Sequence, residues 1–221
     1  MTRAPASFRF FPIPSASAKE AFDFHKSIAD VNQHIWPRRE DEIQTFADNG
    51  ELFGIVEDES RCFVGLCYAH LDEPANELEV GGLTVSDKFR KLRLGTFLIR
   101  FVLAHVITTE LPYSNGQRLI AHVHDENDKP RNILSLLGFK FVKKVSIPGK
   151  DAPASMKRDA NDNVPGDQFE FELSAVGGLY EWLDAKFTGL LDDGKSVANF
   201  DYGDLSLDNI KLALRDISGT H

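Results

Sequence analysis

The sequence predicts a mixed α/β sheet with helices on both faces, and two patterns lead to that prediction. Strand-like stretches at 51–57 and 62–71 are joined by a short polar turn, which favours an antiparallel hairpin. A strand at 77–85, an apolar helix at 94–109 and a strand at 118–124 then form a strand–helix–strand step. Such a step favours a crossover and a parallel pair, so the sheet should contain both kinds of pairing.

The strands are predicted from period-two alternation and from runs rich in β-branched and aromatic residues. Prolines end the first strand, and polar turns or helical patterns separate most of the others. The predicted strands are residues 8–14, 51–57, 62–71, 77–85, 118–124, 139–147 and 168–174.

The helices are predicted from apolar residues at helical spacing and from signals at the helix ends. Ser17 followed by Glu20 has the spacing of a capping box at the start of the first helix. Gly138 suits the C-terminal cap of the short helix before it. The predicted helices are residues 17–33, a stretch between Pro37 and Asn49, and residues 94–109, 130–137, 180–191 and 205–217.

The pattern of the chain changes after Val176, and the domain organisation is predicted from that change. Residues 1–176 are expected to form the main domain, and residues 177–221 a C-terminal helical extension. Within the main domain, the long polar stretch 148–167 contains prolines and glycines. We expect it to be either disordered or a functional flap.

Charge and composition narrow the class of protein. The formal net charge of −9 argues against a nucleic-acid partner, because binding phosphates needs a basic surface. The N-terminus lacks a basic segment followed by an apolar one, and no apolar run is long enough for a transmembrane helix. We therefore expect a cytoplasmic protein with no membrane partner. The histidines show no ligand spacing on a helix, so no metal site is expected.

A basic loop between the strand 77–85 and the helix 94–109 is the first candidate for chemistry. Arg90, Lys91 and Arg93 add positive charge there, in a chain that is otherwise acidic. The N-terminus of a helix offers unpaired N–H groups and the positive end of the helix dipole. A loop leading into it suits a diphosphate, although an ordinary solvated basic turn has the same composition.

The basic loop and a second motif downstream of it resemble two motifs of the GCN5-related N-acetyltransferase (GNAT) family, in the same order along the chain. The basic loop resembles motif A, Arg/Gln-x-x-Gly-x-Gly/Ala, with Arg90 at the first position and Gly95 at the last. Arg93 replaces the middle glycine, which is a departure from the pattern. Downstream, Asn127 and the Gly-Phe pair that ends the next short helix resemble motif B.

The resemblance implies a seven-stranded, mostly antiparallel sheet whose parallel fourth and fifth strands splay apart. Acetyl-CoA would lie between them as co-substrate, with its diphosphate on the motif A loop and its pantetheine arm bonded to main chain. The residues implied to bind it are Leu83, Thr84, Val85, Arg90, Lys91, Leu92, Arg93, Leu94, Gly95, Thr96, Asn127 and Arg131.

The resemblance also indicates which groups handle protons. Glu79 falls where several family members place their general base, and Glu77, on the same strand face, is the alternative. Many relatives use a tyrosine as general acid, but Leu134 occupies that position here. His124 shares a strand face with His122 close to the slot, so His124 is the candidate acid unless the thiolate leaves unassisted.

By this resemblance the protein would be an N-acyltransferase that moves an acetyl group to a primary amine. The acceptor would be a small cationic amine, an amino acid or a protein amine, in a pocket expected to include His34, Trp36, Phe53 and Tyr68. A homodimer is compatible with the sequence. The missing tyrosine and Arg93 leave two alternatives: an inactive acyl-CoA-binding sensor or interaction module, or a partner protein that no longer binds CoA.

Overall fold

The fold is described from a computed structural model. The described residues are 5–32, 34–109, 116–149, 152, 156–185, 189–191 and 193–219, without the side chain of Arg90. Residue 33 of the first predicted helix and residues 186–188 of the fifth lie outside the described residues. Within the described ranges, no helix is long and apolar enough to cross a membrane.

One mixed sheet forms the centre of the fold. Its strands are β1 (Ser7–Pro12), β2 (Leu52–Glu57), β3 (Phe63–Asp72), β4 (Glu77–Val85), β5 (Arg118–His124), β6 (Phe139–Pro148), β7 (Asn163–Phe171) and β8 (Val197–Phe200). Their order across the sheet is β6-β7-β5-β4-β3-β2-β1-β8. The pairs β4–β5 and β1–β8 are parallel, and the other neighbouring strands are antiparallel. The predicted mixed sheet is therefore confirmed.

Helices cover both faces of this sheet. They are α1 (Ala18–Ala29), α2 (Glu40–Asp48), α3 (Leu94–Thr109), α4 (Asp128–Leu136), α5 (Val176–Ala185) and α6 (Leu207–Ser218). The helix α3 is apolar on nearly every side, and it shares a large core with α5, α6 and one face of the sheet. The helices α1 and α2 pack on the other face, around Ile43, Leu52 and Tyr68. Each large side chain buried this way contributes about 1.5–3 kcal/mol to folding.

The sheet has eight strands, not the seven expected. Val197–Phe200 adds the extra strand, β8, which pairs with β1. The ring of Phe200 packs 5.1 Å from that of Phe10 and joins the aromatic core around α3. The boundary predicted at residue 176 stays a prediction. In the structure α5, β8 and α6 share one core with the preceding strands.

Several element ends also differ from the predicted ones. The strand β7 begins at Asn163 rather than at residue 168, because residues 163–167 pair with the second half of β6. The expected long loop is correspondingly shorter. The first helix ends at Ala29 rather than at residue 33, and α5 begins at Val176 rather than at residue 180.

The pairing of β4 with β5 is short, and this positions the site. It extends only from the pair Glu77–Arg118 to the pair Glu79–Ile120. Beyond these residues β4 continues beside β3, whereas β5 continues beside β7. The expected gap between the fourth and fifth strands is thus present.

Candidate active site

A cavity of about 420 Å³, which we call the central cavity, lies in the gap between β4 and β5. Residues 79–83 of β4 and 121–124 of β5 form two of its walls. Residues of α4 and of the loop before α2 form others, and Met156 closes part of it from the segment between β6 and β7. Its volume is in the usual range for a small-molecule site.

A bulge in β4 shapes the floor of the central cavity. Against β3, Leu66 faces Thr84 but Tyr68 faces Gly81, so β4 carries one extra residue there. Gly82 has a φ of +64°, which favours glycine. A Cβ atom on Gly81 would lie 2.4 Å from the Tyr68 hydroxyl oxygen, and one on Gly82 would lie 2.7 Å from the Tyr68 ring. The two glycines therefore leave room for the tyrosine beneath the bulge.

Glu79 is the carboxylate of this cavity, and three side chains converge on it. The Tyr68 hydroxyl donates a hydrogen bond to Glu79 Oε1 (3.1 Å) and itself accepts one from Arg38. Nδ1 of His122 lies 3.4 Å from Glu79 Oε2. Burial raises the pKa of Glu79, but His122, Arg38 and Tyr68 together outweigh burial and hold that pKa below its usual range. Glu79 is therefore ionised at neutral pH.

His122 is the partner that Glu79 orients. Burial lowers the pKa of His122, but the carboxylates of Glu79 and Glu77 outweigh burial and the opposing charge of Lys143, so the pKa is raised. Nε2 has no hydrogen-bond partner among the described residues, and His122 lines the central cavity. The pair resembles a carboxylate–imidazole arrangement in which one ring nitrogen is held and the other is left for a ligand.

The other proton-handling candidates divide between the cavity and the sheet. Glu77 does not line the cavity: it pairs with Arg118 and accepts a hydrogen bond from Gln168 (3.2 Å). His124 does line it. Its side chain is 7% exposed, and neither ring nitrogen has a hydrogen-bond partner among the described residues. Leu134 is buried in the cavity wall, at the position where a tyrosine is usual.

The loop of residues 34–39, which we call the acceptor loop, closes the cavity on the side of α1 and α2. It brings His34, Trp36 and Arg38 to the cavity, next to Tyr68 of β3. Three of the four expected pocket residues are thus present. The expectation for Phe53 is wrong, because alternation along β2 turns it to the opposite face, against the rings of Phe101 and His105.

Two charged residues of this wall were not predicted from the sequence. Arg38 lies 3.6 Å from Glu42 and stacks its guanidinium 4.9 Å from the centre of the Tyr68 ring. Both Arg38 and Glu42 line the central cavity. Arg38 belongs to an irregular stretch without periodicity, so nothing in its spacing indicated a role. Glu42 lies in the first turn of α2, where acidic residues are common in any helix.

His25 of α1 reaches under both the acceptor loop and β4. Its Nε2 lies 3.1 Å from the carbonyl oxygen of Trp36, and its Nδ1 lies 3.2 Å from the hydroxyl oxygen of Thr84. The Thr84 hydroxyl is also 3.0 Å from the carbonyl oxygen of Gly82 in the bulge. His25 is fully buried, and burial lowers its pKa. The hydrogen bond to the Trp36 carbonyl oxygen raises the pKa but does not outweigh burial.

The expected diphosphate loop takes a definite shape. Asp87–Leu92 forms a 3-10 helix, and Arg93 then adopts a left-handed conformation (φ 53°, ψ 30°) directly before α3. This conformation explains why a glycine is usual at that position. Lys91 and Arg93 are exposed, whereas the side chains of Leu92 and Leu94 are buried, so only their main chain is available to a ligand.

Gly95 tests whether this loop fits a diphosphate. A Cβ atom there would meet Val85 at 3.4 Å and Leu83 at 3.5 Å, which are ordinary contacts. The packing of the described residues therefore does not require a glycine, whereas close approach of an anion to the helix start would. The residues present fit the group. Thr96 belongs to the same first turn, where its amide donates to the Arg93 carbonyl oxygen (3.0 Å).

Of the remaining predicted ligands, only some line the central cavity. Asn127 lines the central cavity at the start of α4. In β4, Leu83 lines the cavity, whereas the side chain of Thr84 is fully buried and Val85 lies outside the lining. Arg131 lies away from the cavity lining, where it pairs with the buried Asp167 of β7. Its proposed contact with the co-substrate stays a prediction.

A protein-family model matches the part of the chain that forms most of this site. The model described as the acetyltransferase (GNAT) family matches residues 19–139, which is more than half of the chain. The chain belongs to the GNAT family. The matched range contains the acceptor loop, the β4 bulge, the basic loop and α4. No curated protein matches the sequence.

Solved GNAT structures share the fold at low sequence identity. An N-acetyltransferase from Staphylococcus aureus Mu50 is 8% identical with a TM-score of 0.56, covering 75% of this chain and 97% of that one. A phosphinothricin acetyltransferase from Sinorhizobium meliloti, in complex with AcCoA, is 15% identical (TM-score 0.53; 75% and 86% covered). A Vibrio cholerae spermidine N-acetyltransferase chimera is 14% identical (0.51; 74% and 94%). At these identities the likeness shows the fold alone.

Within the described ranges, no group of three or more His, Cys, Asp or Glu residues lies close enough to hold a metal ion.

Proposed function

We propose that this GNAT protein is an N-acetyltransferase that moves an acetyl group from acetyl-CoA to a primary amine. The observation that carries the proposal is the Glu79–His122 pair inside the gap between β4 and β5. An amine attacks only when neutral, so the reaction needs a proton acceptor next to the attacking nitrogen. The family membership supplies the donor class, and this pair supplies the acceptor for the proton.

Acetyl-CoA would bind along β4 and at the start of α3. The first amides of α3 and the exposed charges of Lys91 and Arg93 would hold the diphosphate, with Gly95 allowing close approach. Main-chain groups near Leu83 and Val85 would hold the arm and the thioester, next to the bulge. The AcCoA present in the Sinorhizobium meliloti relative supports this choice of donor.

Glu79 and His122 would take one proton from the incoming ammonium. The carboxylate attracts the cation and steadies the imidazole, and His122 Nε2 accepts the proton. The nitrogen lone pair then forms the C–N bond at the thioester carbonyl. Cleavage of the C–S bond leaves its electron pair on sulfur, which takes up a proton while the amine nitrogen loses its second one. General base catalysis of this kind contributes about 10²–10⁴-fold in rate.

His124 remains the candidate for protonating the departing sulfur. Its side chain is buried in the cavity wall, its ring nitrogens have no hydrogen-bond partner among the described residues, and Nε2 lies 3.7 Å from Asp125 Oδ1. Leu134 provides no hydroxyl at the usual position. Thiolates are good leaving groups, so the reaction does not depend on this acid.

The acceptor would be a primary amine that can bind next to a cavity wall with both negative and positive side chains. Glu42 and Glu79 favour a cationic amine, and Arg38 favours a second, anionic group on the same molecule. Spermidine and phosphinothricin, named for two relatives, represent these two classes. Peptide amines form the third class. Nucleic acid is not proposed as a partner, and a homodimer stays a prediction.

The test measures thiol release from acetyl-CoA with spermidine, phosphinothricin and a lysine-containing peptide. We expect turnover with at least one amine and a fall of about 10²–10⁴-fold in kcat for Glu79→Gln. Arg118→Gln, which removes the partner of Glu77 outside the cavity lining, is the matched control and should keep most of the activity. Absence of transfer to every amine, together with tight acetyl-CoA binding, would contradict the proposal.

That contrary result would favour the second candidate, an acyl-CoA-binding module without turnover. Leu134 at the position of the usual acid is the observation behind it. If the protein bound no acetyl-CoA at all, its melting temperature would not change at millimolar ligand, because a ligand stabilises only the state it binds. A role as a partner protein would then be favoured.

A further inference from the structure

His25 is a polar side chain on the face of helix α1 that packs against an apolar layer. It is 1% exposed and neighbours Ala18 and Ala21, which are buried on the same helix. Burying an imidazole costs free energy unless its nitrogens are hydrogen-bonded. Both nitrogens of His25 have partners, and neither partner belongs to α1.

The Trp36 partner fixes the protonation of one ring nitrogen, Nε2. The Trp36 carbonyl oxygen can only accept, so Nε2 must carry a hydrogen and donate it. In the neutral ring Nδ1 carries no hydrogen, so only the Thr84 hydroxyl can supply the hydrogen for their contact, and the Gly82 carbonyl oxygen, 3.0 Å from that hydroxyl, competes for it. The lowered pKa of His25 agrees with a neutral ring. One side chain thus connects an irregular loop on one side of the cavity to a strand on the other.

The two connected segments differ in how firmly the rest of the fold holds them in place. The bulge of β4 is already held by hydrogen bonds to β3 and by the packing of Tyr68 beneath it. The acceptor loop has no strand partner, and its residues 36–39 belong to neither helix nor strand. Loss of the imidazole would therefore release the loop far more than the bulge.

We propose that His25 is a positioning residue for acyl transfer, which holds the acceptor loop, through the Trp36 carbonyl, against the Thr84 side of the β4 bulge. The inference rests on the proposed function and adds the part of the site that sets the acceptor wall. His25 does not line the central cavity. It acts only through Trp36 and Thr84, so its loss should alter acceptor binding rather than the chemical step.

The first measurement needs no acceptor. Amide hydrogen exchange of residues 34–39 is compared in the wild type, in His25→Leu and in His25→Gln, whose amide nitrogen can still donate to the Trp36 carbonyl. His105→Leu is the matched control, because His105 is a half-buried histidine of α3, and its Nδ1 has no hydrogen-bond partner within the described part of the chain. We expect faster exchange in the loop for His25→Leu alone.

The second measurement separates binding from chemistry, with spermidine or phosphinothricin as the amine. His25→Leu should raise the amine KM about tenfold, as expected for one lost buried hydrogen bond, with kcat and the Kd of acetyl-CoA changed by less than about threefold. His25→Gln should recover most of the loss.

Unchanged exchange of residues 34–39 in His25→Leu would overturn the inference whether or not transfer occurs. Equal effects of His25→Leu and His105→Leu on exchange would also overturn it, because the histidine would then serve only stability. A wild type that transfers no acetyl group to any amine would instead contradict the proposed function. The two failures are therefore distinguishable.

Discussion

Gly95, the second residue of α3, allows stability and ligand binding to be separated by adding a single carbon atom. In Gly95→Ala the new Cβ meets Val85 at 3.4 Å and Leu83 at 3.5 Å, so it fits the protein without displacing a neighbour. Alanine also loses less backbone entropy than glycine when a helix forms. The free protein should therefore become more stable, by up to about 1 kcal/mol.

The same carbon should weaken the binding of acetyl-CoA. If the diphosphate lies on the amides at the start of α3, the Cβ occupies space that its oxygens need. We expect a loss of about tenfold in affinity, as for one strained or broken charge-assisted contact. At a ligand concentration 100 times the original Kd, stabilisation by ligand would fall from about 2.7 to about 1.4 kcal/mol.

Thermal melting with and without acetyl-CoA measures both effects in one experiment. A change of 1 kcal/mol corresponds to about 2–4 °C in Tm for a chain of this size. The free variant should melt a few degrees higher than the wild type, and its ligand-induced shift should be roughly halved. Gly178→Ala in α5 is the matched control, because a Cβ there meets nothing within 4 Å. It should raise Tm and leave the ligand-induced shift unchanged.

One result would refute this reasoning. If Gly95→Ala binds acetyl-CoA as tightly as Gly178→Ala does, the start of α3 is not the diphosphate site. A variant that melts lower without ligand would contradict a different step, because the measured Cβ contacts would then not describe the space at Gly95.

Three further predictions follow from the site. Activity requires the neutral His122 ring, so kcat/KM should fall as pH falls. Because the pKa of His122 is raised, this fall should occur above the ordinary histidine pKa. Glu79→Gln should move it to lower pH in a pH–rate profile. Arg93→Gly should have a free energy of unfolding about 1 kcal/mol higher than that of Arg93→Ala, measured by chemical denaturation. Both variants lose the charge, but only glycine adopts the left-handed conformation without strain. Equal free energies of unfolding would show that no strain is present. Gly81→Ala should destabilise the protein by about 1–3 kcal/mol, because its Cβ would lie 2.4 Å from the Tyr68 hydroxyl oxygen, and chemical denaturation measures this.

Much of the fold could be predicted because its signals are local. The strand–helix–strand step of β4, α3 and β5 follows from alternation, an apolar run and a crossover rule. By contrast, β8 has only four residues, and its stability comes from pairing with β1 at the other end of the chain. A pattern read within a short window contains no information about such a partner.

The site could be predicted only in part, for a similar reason. Glu79 and His122 were both identified as residues near the gap, but their contact depends on where the two strands stop pairing. Arg38 and His25 gave no local signal: one lies in an irregular loop, and the other looked like part of a helical stripe. Phe53 was misplaced because the face of a strand that reaches the pocket is decided by tertiary packing.

The pairing of β8 with β1 has a consequence for the order in which the molecule can be completed. During synthesis the first strand emerges long before residues 197–200, so one of its edges stays unpaired until those residues have left the ribosome. The ring of Phe10 lacks its neighbour Phe200 for the same interval. An uncovered strand edge invites association with other chains. A nascent or shortened chain that stops before residue 197 should therefore depend on chaperones or aggregate, even though every residue of the central cavity has already been made.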